Sequence, residues 1–447
     1  MKRLSLLLLW LCASLVQAAP PVREYRLDNG LKLLVREDHR APIVTSQVWY
    51  RVGASYESPG ITGLSHWLEH MMFKGTARLA PNEFSRIIAA LGGSENAFTG
   101  PDYTAYFETL SKSHLRRAFE LEADRMAGLR FDPKEARKEL EVVKEERRWR
   151  TDDKPTARTH EEFNAVAYRV LPYRNPVIGW PGDLAHLGVD DLKAWYAKWY
   201  APNNATLVVV GDVDPEAVFA LARETFGRNA ARATEPAPEL VEPRHLGETR
   251  VTARLPARQP YLVMGWQTPS LKTAEDPADA YALEMIAELL GGGDSARLAR
   301  ELVRGQRIAA EADVDYGLYN RLSGLLVLDA TPTDGHDLDA LEQALRAQLR
   351  ALREQAVDPV ELERVRARVI AARVYEQDSV FYQAMQLGLL ETVGLGWQRA
   401  DEYIAGMKAV DAARIQAVAR RYLNDDNLTV ARLIPRAEEK KGESDAD

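Results

Sequence analysis

The sequence predicts an α+β fold made of two similar domains, and three observations carry that reading. Segments with strand-like alternation and segments with helical periodicity both occur, in the same order in each half of the chain. A polar stretch holding Pro236, Pro238 and Pro243 separates the halves. The halves also end alike: Lys198-Trp199-Tyr200 followed by Ala205 to Val210 is echoed by Arg420-Arg421-Tyr422 followed by Leu428 to Leu433. At 447 residues the chain is long enough for two domains with full cores.

The elements follow in order. Lys2 and Arg3, the apolar run Leu4 to Val16 and the small-residue site Val16-Gln17-Ala18 read as a signal peptide over residues 1–18. That run is too short to span a bilayer and no later segment approaches the length needed, so no membrane span is expected. The single cysteine, Cys12, falls inside the leader, which leaves a mature chain without thiols and suited to a periplasmic or secreted location. The first domain is expected over 24–228. It opens with an alternating pattern from Glu24 to Arg36, broken by the hairpin signal Asp28-Asn29-Gly30. A second apolar run follows at Ile43 to Val52, helical periodicity begins near Thr62, and a buried strand spans Ala205 to Val210. A linker is expected over 229–247 and a second domain over 248–435, with a strand at Tyr261 to Gln267 and a helix at Pro277 to Leu290. The charged stretch 436–447 has few apolar residues and reads as a disordered tail. The formal net charge of −8 argues against nucleic-acid binding.

The chemistry is concentrated in His66-Trp67-Leu68-Glu69-His70. Two histidines at i and i+4 share one helix face, near enough for both imidazoles to hold one ion. Glu69 lies on the same face and can reach a water on that ion. The order His-x-x-Glu-His is the inverzincin signature. Two histidines and a water leave a zinc site one protein ligand short. A second helix beginning at Asp132-Pro133 offers candidates, and on it Glu139, Val143 and Glu146 share a face while Glu141 and Glu145 point elsewhere. Spacing alone does not choose among these glutamates, which stand among several lysines and arginines.

With these motifs the chain resembles the pitrilysin/insulysin/mitochondrial-processing-peptidase family of zinc metalloendopeptidases. The family places a glutamate ligand roughly 75 residues after the histidine motif, with a second functional glutamate seven residues earlier; Glu146 and Glu139 stand at those positions. The resemblance implies one zinc per chain on His66, His70 and Glu146, Glu69 as general base, and Glu139 as the residue that orients the site. It extends to Gly92-Gly93-Ser94-Glu95-Asn96-Ala97-Phe98-Thr99, followed by Asp102, Thr104 and Tyr106, which looks like the family's active-site edge strand. Glu95, Asn96, Ala97, Phe98 and Thr99 are then the expected substrate-binding residues, taking an extended peptide by strand addition. Leu171-Pro172-Tyr173, Gly179, Arg297-Leu298 and Glu301-Leu302 resemble further landmarks. The implied architecture is a clamshell of two homologous domains, each a mainly antiparallel sheet packed with helices.

The sequence departs from the pattern in its second half. Family members carry an arginine and a tyrosine there, seven residues apart, which hold substrate and stabilise the oxyanion; the aligned positions here are Val303 and Ala310, neither able to donate a side-chain hydrogen bond. Arg304 and Tyr316 are nearby substitutes that need a register shift. The resemblance therefore implies a heterodimer with a homologous subunit that lacks the histidine motif and supplies the Arg/Tyr pair, with a homodimer as second choice. The expected activity is hydrolysis of peptides or unfolded segments. The alternative is a non-catalytic binding or assembly subunit of the same fold. Gly291-Gly292-Gly293 lacks the residues of a phosphate loop. His39, His114, His160, His186, His245 and His336 have no ligand spacing and are expected at the surface.

Overall fold

The computed structural model describes residues 21–233 and 239–436. The expected signal peptide lies outside them, as does the expected tail except for Arg436, which closes the last strand instead. Six strands form the first sheet: β1 Arg23–Arg26, β2 Lys32–Glu37, β3 Ile43–Tyr50, β4 Ser94–Thr99, β5 Thr104–Ser111 and β6 Ala205–Gly211, in the order β1-β2-β6-β3-β5-β4. The Asp28-Asn29-Gly30 signal makes the expected hairpin: β1 and β2 pair antiparallel, and Gly30 takes φ +87°. Five strands form the second sheet: β7 Thr249–Pro256, β8 Tyr261–Thr268, β9 Ala309–Tyr316, β10 Gly324–Pro332 and β11 Leu428–Arg436, in the order β7-β11-β8-β10-β9.

Without β1 the two sheets have one topology. Each contains a single parallel pair, β2 with β6 and β7 with β11, and is otherwise antiparallel. Even the junction before the last strand repeats. Asn204 donates from its side-chain amide to the Trp199 carbonyl at 2.9 Å, and Asn427 donates likewise to the Tyr422 carbonyl at 3.0 Å.

Each sheet packs its own helices on one face, around separate apolar cores. The other face of each sheet is covered by a helix from the opposite half. Helix Pro155–Ala167 lies on the second sheet and buries Phe163, while helix Val380–Thr392 lies on the first and buries Ala384 and Leu387. Both contacts require glycine. A Cβ on Gly265 would sit 2.5 Å from Phe163 Cζ, and one on Gly388 would sit 2.1 Å from Trp49 Nε1. The stretch expected as a linker is pinned down in part, since the Glu242 carboxylate accepts from the backbone N–H groups of Arg169, Val170 and Leu171 at 2.7, 3.1 and 2.8 Å. Among the described residues, no helix is long and apolar enough to cross a membrane.

Candidate metal centre

Helix Leu64–Met71, the histidine helix, is amphipathic: Leu64, Trp67, Leu68 and Met71 are buried in the first core, leaving His66, Glu69 and His70 on the other face. Its start is held by Glu57, whose buried carboxyl group accepts from the N–H groups of Gly63 and Ser65 at 2.8 and 2.6 Å. Helix Pro133–Arg147, the glutamate helix, begins where Asp132-Pro133 places it, with the Asp132 side chain accepting from Lys134 and Glu135 N–H. Val143 is buried, and Glu139 and Glu146 face the histidines. Glu141 and Glu145 are 71% and 63% exposed and pair instead with Lys144 and Arg148.

His66, His70 and Glu146 each offer a donor atom, all within 4.8 Å of one another. Glu146 lies 3.8 Å from His66 Nε2 and 3.4 Å from His70 Nε2. Ligands bonded at about 2.0–2.1 Å around one tetrahedral zinc stand about 3.4 Å apart, so this donor set fits zinc with minor adjustment. His70 Nδ1 meets Glu139 at 3.0 Å, and Lys74 holds the other Glu139 oxygen at 2.8 Å. With Nδ1–H donating to Glu139, Nε2 is the nitrogen of His70 turned toward Glu146, and its proton is the one a cation would replace. Burial and the neighbouring His70 charge push the His66 pKa down to about 4, which keeps that imidazole neutral. Burial opposes charge on His70 as well, but its bonds to Glu139 and Glu146 outweigh it and raise the pKa to about 9. A bound cation would displace that proton.

Glu69 is raised above the usual carboxylate range by burial, opposed by the hydroxyl of Thr99, which donates to it at 2.5 Å. Thr99 ends β4, which among the described residues pairs only with β5 and so presents a free edge beside the centre. Along β4, Asn96 is exposed; Glu95 is half-buried, as is Ala97, which packs on the first core; Phe98 packs against Trp49 and Tyr103. The side-chain hydroxyl of Thr99, at the end of the expected substrate strand, donates to Glu69. Lys74 and Arg150, the latter 2.9 Å from Glu146, escaped the sequence reading, although each stands four residues after a site residue.

Comparison with known proteins places this arrangement. The insulinase family, peptidase family M16, matches residues 32–180, and the M16 inactive domain matches 186–369. The zinc protease PqqE of Helicobacter pylori is 32% identical over 368 residues, 81% of this chain and 82% of that relative. This chain belongs to peptidase family M16. A crystal structure of a protease from H. pylori superposes with a TM-score of 0.89 at 28% identity, over 93% of this chain and all of that one. The first half of the periplasmic protease PqqL from Escherichia coli shares the fold, with a TM-score of 0.77 at 19% identity over 94% of each chain. Full PqqL matches over 94% of this chain but only 48% of its own length.

The second half places other residues at the positions equivalent to the metal centre. The repeat that maps β3 onto β8 puts Glu284, Ala287 and Glu288 where the first half has His66, Glu69 and His70. The repeat that maps Asp132-Pro133 onto Asp358-Pro359 puts Ala372 where Glu146 stands. Glu284, Glu288 and Ala372 line one cavity of about 370 Å³, and Arg368 is paired with Glu288 at 2.7 Å. The cavity's carboxylates, from Glu284, Glu288 and Glu376, stand beside Arg368 and Arg373 with no imidazole among its lining, which is not the donor set of a zinc site.

The proposed substitutes for Val303 and Ala310 fare unevenly in this M16 fold. Tyr316 is buried, and its hydroxyl donates to the Pro269 carbonyl at 2.6 Å, so it is unavailable to a substrate. Arg304 is exposed and donates to the Asp294 carbonyl. Of the remaining histidines, His245 corrects the surface expectation at 1% exposure, and His160 is half-buried with Nε2 2.6 Å from the Tyr261 hydroxyl.

Proposed function

We propose that this chain is the zinc-bearing subunit of a metalloendopeptidase that cleaves extended peptides or unfolded segments. The observation that carries the reading is the convergence of His66, His70 and Glu146 beside Glu69 and the free edge of β4. His66, His70 and Glu146 would hold the ion, and Glu139 would fix the His70 tautomer. When bound, zinc supplies Lewis acidity to the scissile carbonyl and lowers the pKa of the attacking water. Glu69 accepts the proton of that water and delivers it to the leaving amine. A peptide adding to β4 as a further strand is held by backbone hydrogen bonds, which favours extended substrates and broad sequence tolerance.

Val303 is part-buried against the second core and Ala310 offers no donor, so the oxyanion partner is assigned to a second, homologous subunit with the Arg/Tyr pair. The match to one half of PqqL supports that reading, because a protein of twice this length holds both halves in one chain. The leader-like first 18 residues, together with the description of PqqL as periplasmic, support a periplasmic or secreted location.

The test is turnover of a quenched fluorescent peptide library by the zinc-loaded chain, with and without its homologous partner, beside Glu69→Gln. Zinc-dependent cleavage lost in Glu69→Gln supports the assignment. Cleavage that survives Glu69→Gln or complete zinc removal would refute it.

A further inference from the structure

A buried polar contact between the halves lies at the tip of the β4–β5 hairpin. Asp102, in that turn, is 2% exposed. From its own half, the Ser55 hydroxyl donates to it at 2.7 Å and the Tyr173 hydroxyl donates to its other oxygen. Its remaining partners come from the second half. Arg321 donates its backbone N–H to Asp102 at 3.0 Å and its guanidinium Nε at 3.2 Å. The same guanidinium donates to Ser55 Oγ at 2.9 Å and lies 4.5 Å above the Tyr56 ring. Leu322 N–H completes the lock by donating to the Tyr173 hydroxyl at 3.1 Å.

Arg321 belongs to the β9–β10 connection. Since β9 and β10 occupy in the second sheet the places of β4 and β5 in the first, equivalent hairpin tips meet here. The turn is also held from below, with Ala54 and Ser55 N–H donating to the Gly100 and Pro101 carbonyls at 3.2 and 2.7 Å. Asp102 follows Thr99 by three residues, and Thr99 is hydrogen-bonded to Glu69. A shift of the tip is therefore passed along the end of a short edge strand to the proposed base. Without Arg321 the buried Asp102 carboxylate loses its cation, and a buried unpaired charge must move or draw in water.

We propose that Arg321 is a positioning residue: through it the second half, which has no metal ligands of its own among the described residues, sets the pose of the β4 edge, Thr99 and Glu69. The effect on catalysis rests on the peptidase reading above; the effect on the hairpin does not. Arg321 also lines a cavity of about 670 Å³ between the halves, together with Arg51, Lys272 and Glu391. That cavity gives a small cation a route to the site of a truncated side chain.

The experiment compares wild type, Arg321→Ala and Arg321→Lys, each zinc-loaded and supplied with partner if the wild type needs one. It reads kcat and KM, zinc content, and amide exchange of residues 94–104. For Arg321→Ala the expected result is unchanged zinc content, faster exchange confined to that hairpin, and a loss of about 10- to 100-fold in kcat/KM. Guanidinium ion at tens of millimolar should restore part of both readouts in this variant and neither in wild type. Arg321→Lys, which keeps the charge but loses the fork, should fall between, and it carries the test if the alanine variant does not accumulate. Wild-type exchange and kinetics in both variants would overturn the proposal. So would faster exchange spread evenly over both sheets with no guanidinium rescue, since that marks a merely structural contact. Confined, rescuable hairpin exchange in a chain inactive with any partner would uphold the positioning and count against the peptidase reading.

Discussion

His70 has two nitrogens with different tasks, and Glu139 separates them. Held by Lys74 at 2.8 Å, Glu139 accepts the Nδ1–H bond and so assigns Nε2 to a cation. Glu139→Gln keeps the size but weakens that bond, so zinc affinity should fall about 10- to 100-fold, measured by competition against a chelator. Glu69→Gln should leave zinc affinity unchanged. Thr99 acts on the other side of the site: Thr99→Val should lower kcat roughly tenfold at constant zinc content, and Thr99→Ser should retain most of it. At this scale the sequence was legible where chemistry follows one helix. The spacing of His66, Glu69 and His70 states the site directly. Helix periodicity turned Glu141 and Glu145 away from the site, but it could not choose between Glu146 and Glu139, which share one face and differ in role only through what surrounds them. The Thr99–Glu69 bond joins segments thirty residues apart, and no local pattern records it.

Helices carry these residues, and the contacts that fix the helices are charged. Arg147 follows Glu146 and is 3% exposed; its guanidinium donates to Glu161 at 2.7 and 2.8 Å and to the Gly179 carbonyl at 2.8 Å, which ties the end of the glutamate helix to the rest of the first half. In the second half, Glu342 on helix Leu338–Glu354 is gripped by Arg250 on β7, Arg432 on β11 and Arg346 of its own helix. Burial would raise its pKa, but the bonds to the three arginines outweigh that and take it down to about 2. The folded pKa is thus below the unfolded one. The stabilisation is complete above about pH 4.5 and is lost as pH falls toward 2. Glu342→Gln should cost on the order of 2 kcal/mol at pH 7, after allowance for solvent screening, and flatten the decline of stability over that acid range, read by urea melts at several pH values. The start of the glutamate helix was legible because an Asp-Pro pair declares both the cap and the first turn. The parallel pairing of β2 with β6 was not, since the strands are separated by most of a domain and nothing in either specifies its neighbour.

The two halves are held as one body by exchange: a helix from each covers the sheet of the other, and the equivalent hairpin tips meet through Arg321 and Asp102. The duplication was visible in the echo between Tyr200 and Tyr422, whereas the exchange was not, because the apolar faces of helices Pro155–Ala167 and Val380–Thr392 read as ordinary core. One consequence reaches beyond the chain. The second half offers Glu284, Ala287, Glu288 and Ala372 at the positions of the metal centre, and Val303 and Ala310 where the family resemblance implies hydrogen-bond donors. On the proposed reading, the oxyanion donor must therefore come from outside these positions. A missing oxyanion donor costs about a hundredfold or more, so the zinc-loaded chain alone should turn over peptides slowly. Mixing it with a homologue that has the Arg/Tyr pair and no histidine motif should raise kcat/KM by at least that factor, with a 1:1 complex seen by sedimentation. Substituting the partner's arginine should return the rate to that of the single chain without dissolving the complex. Full turnover by the isolated chain, unchanged by any such partner, would place the oxyanion donor within this chain, and Arg304, exposed and close to the aligned position, would be the first residue to replace.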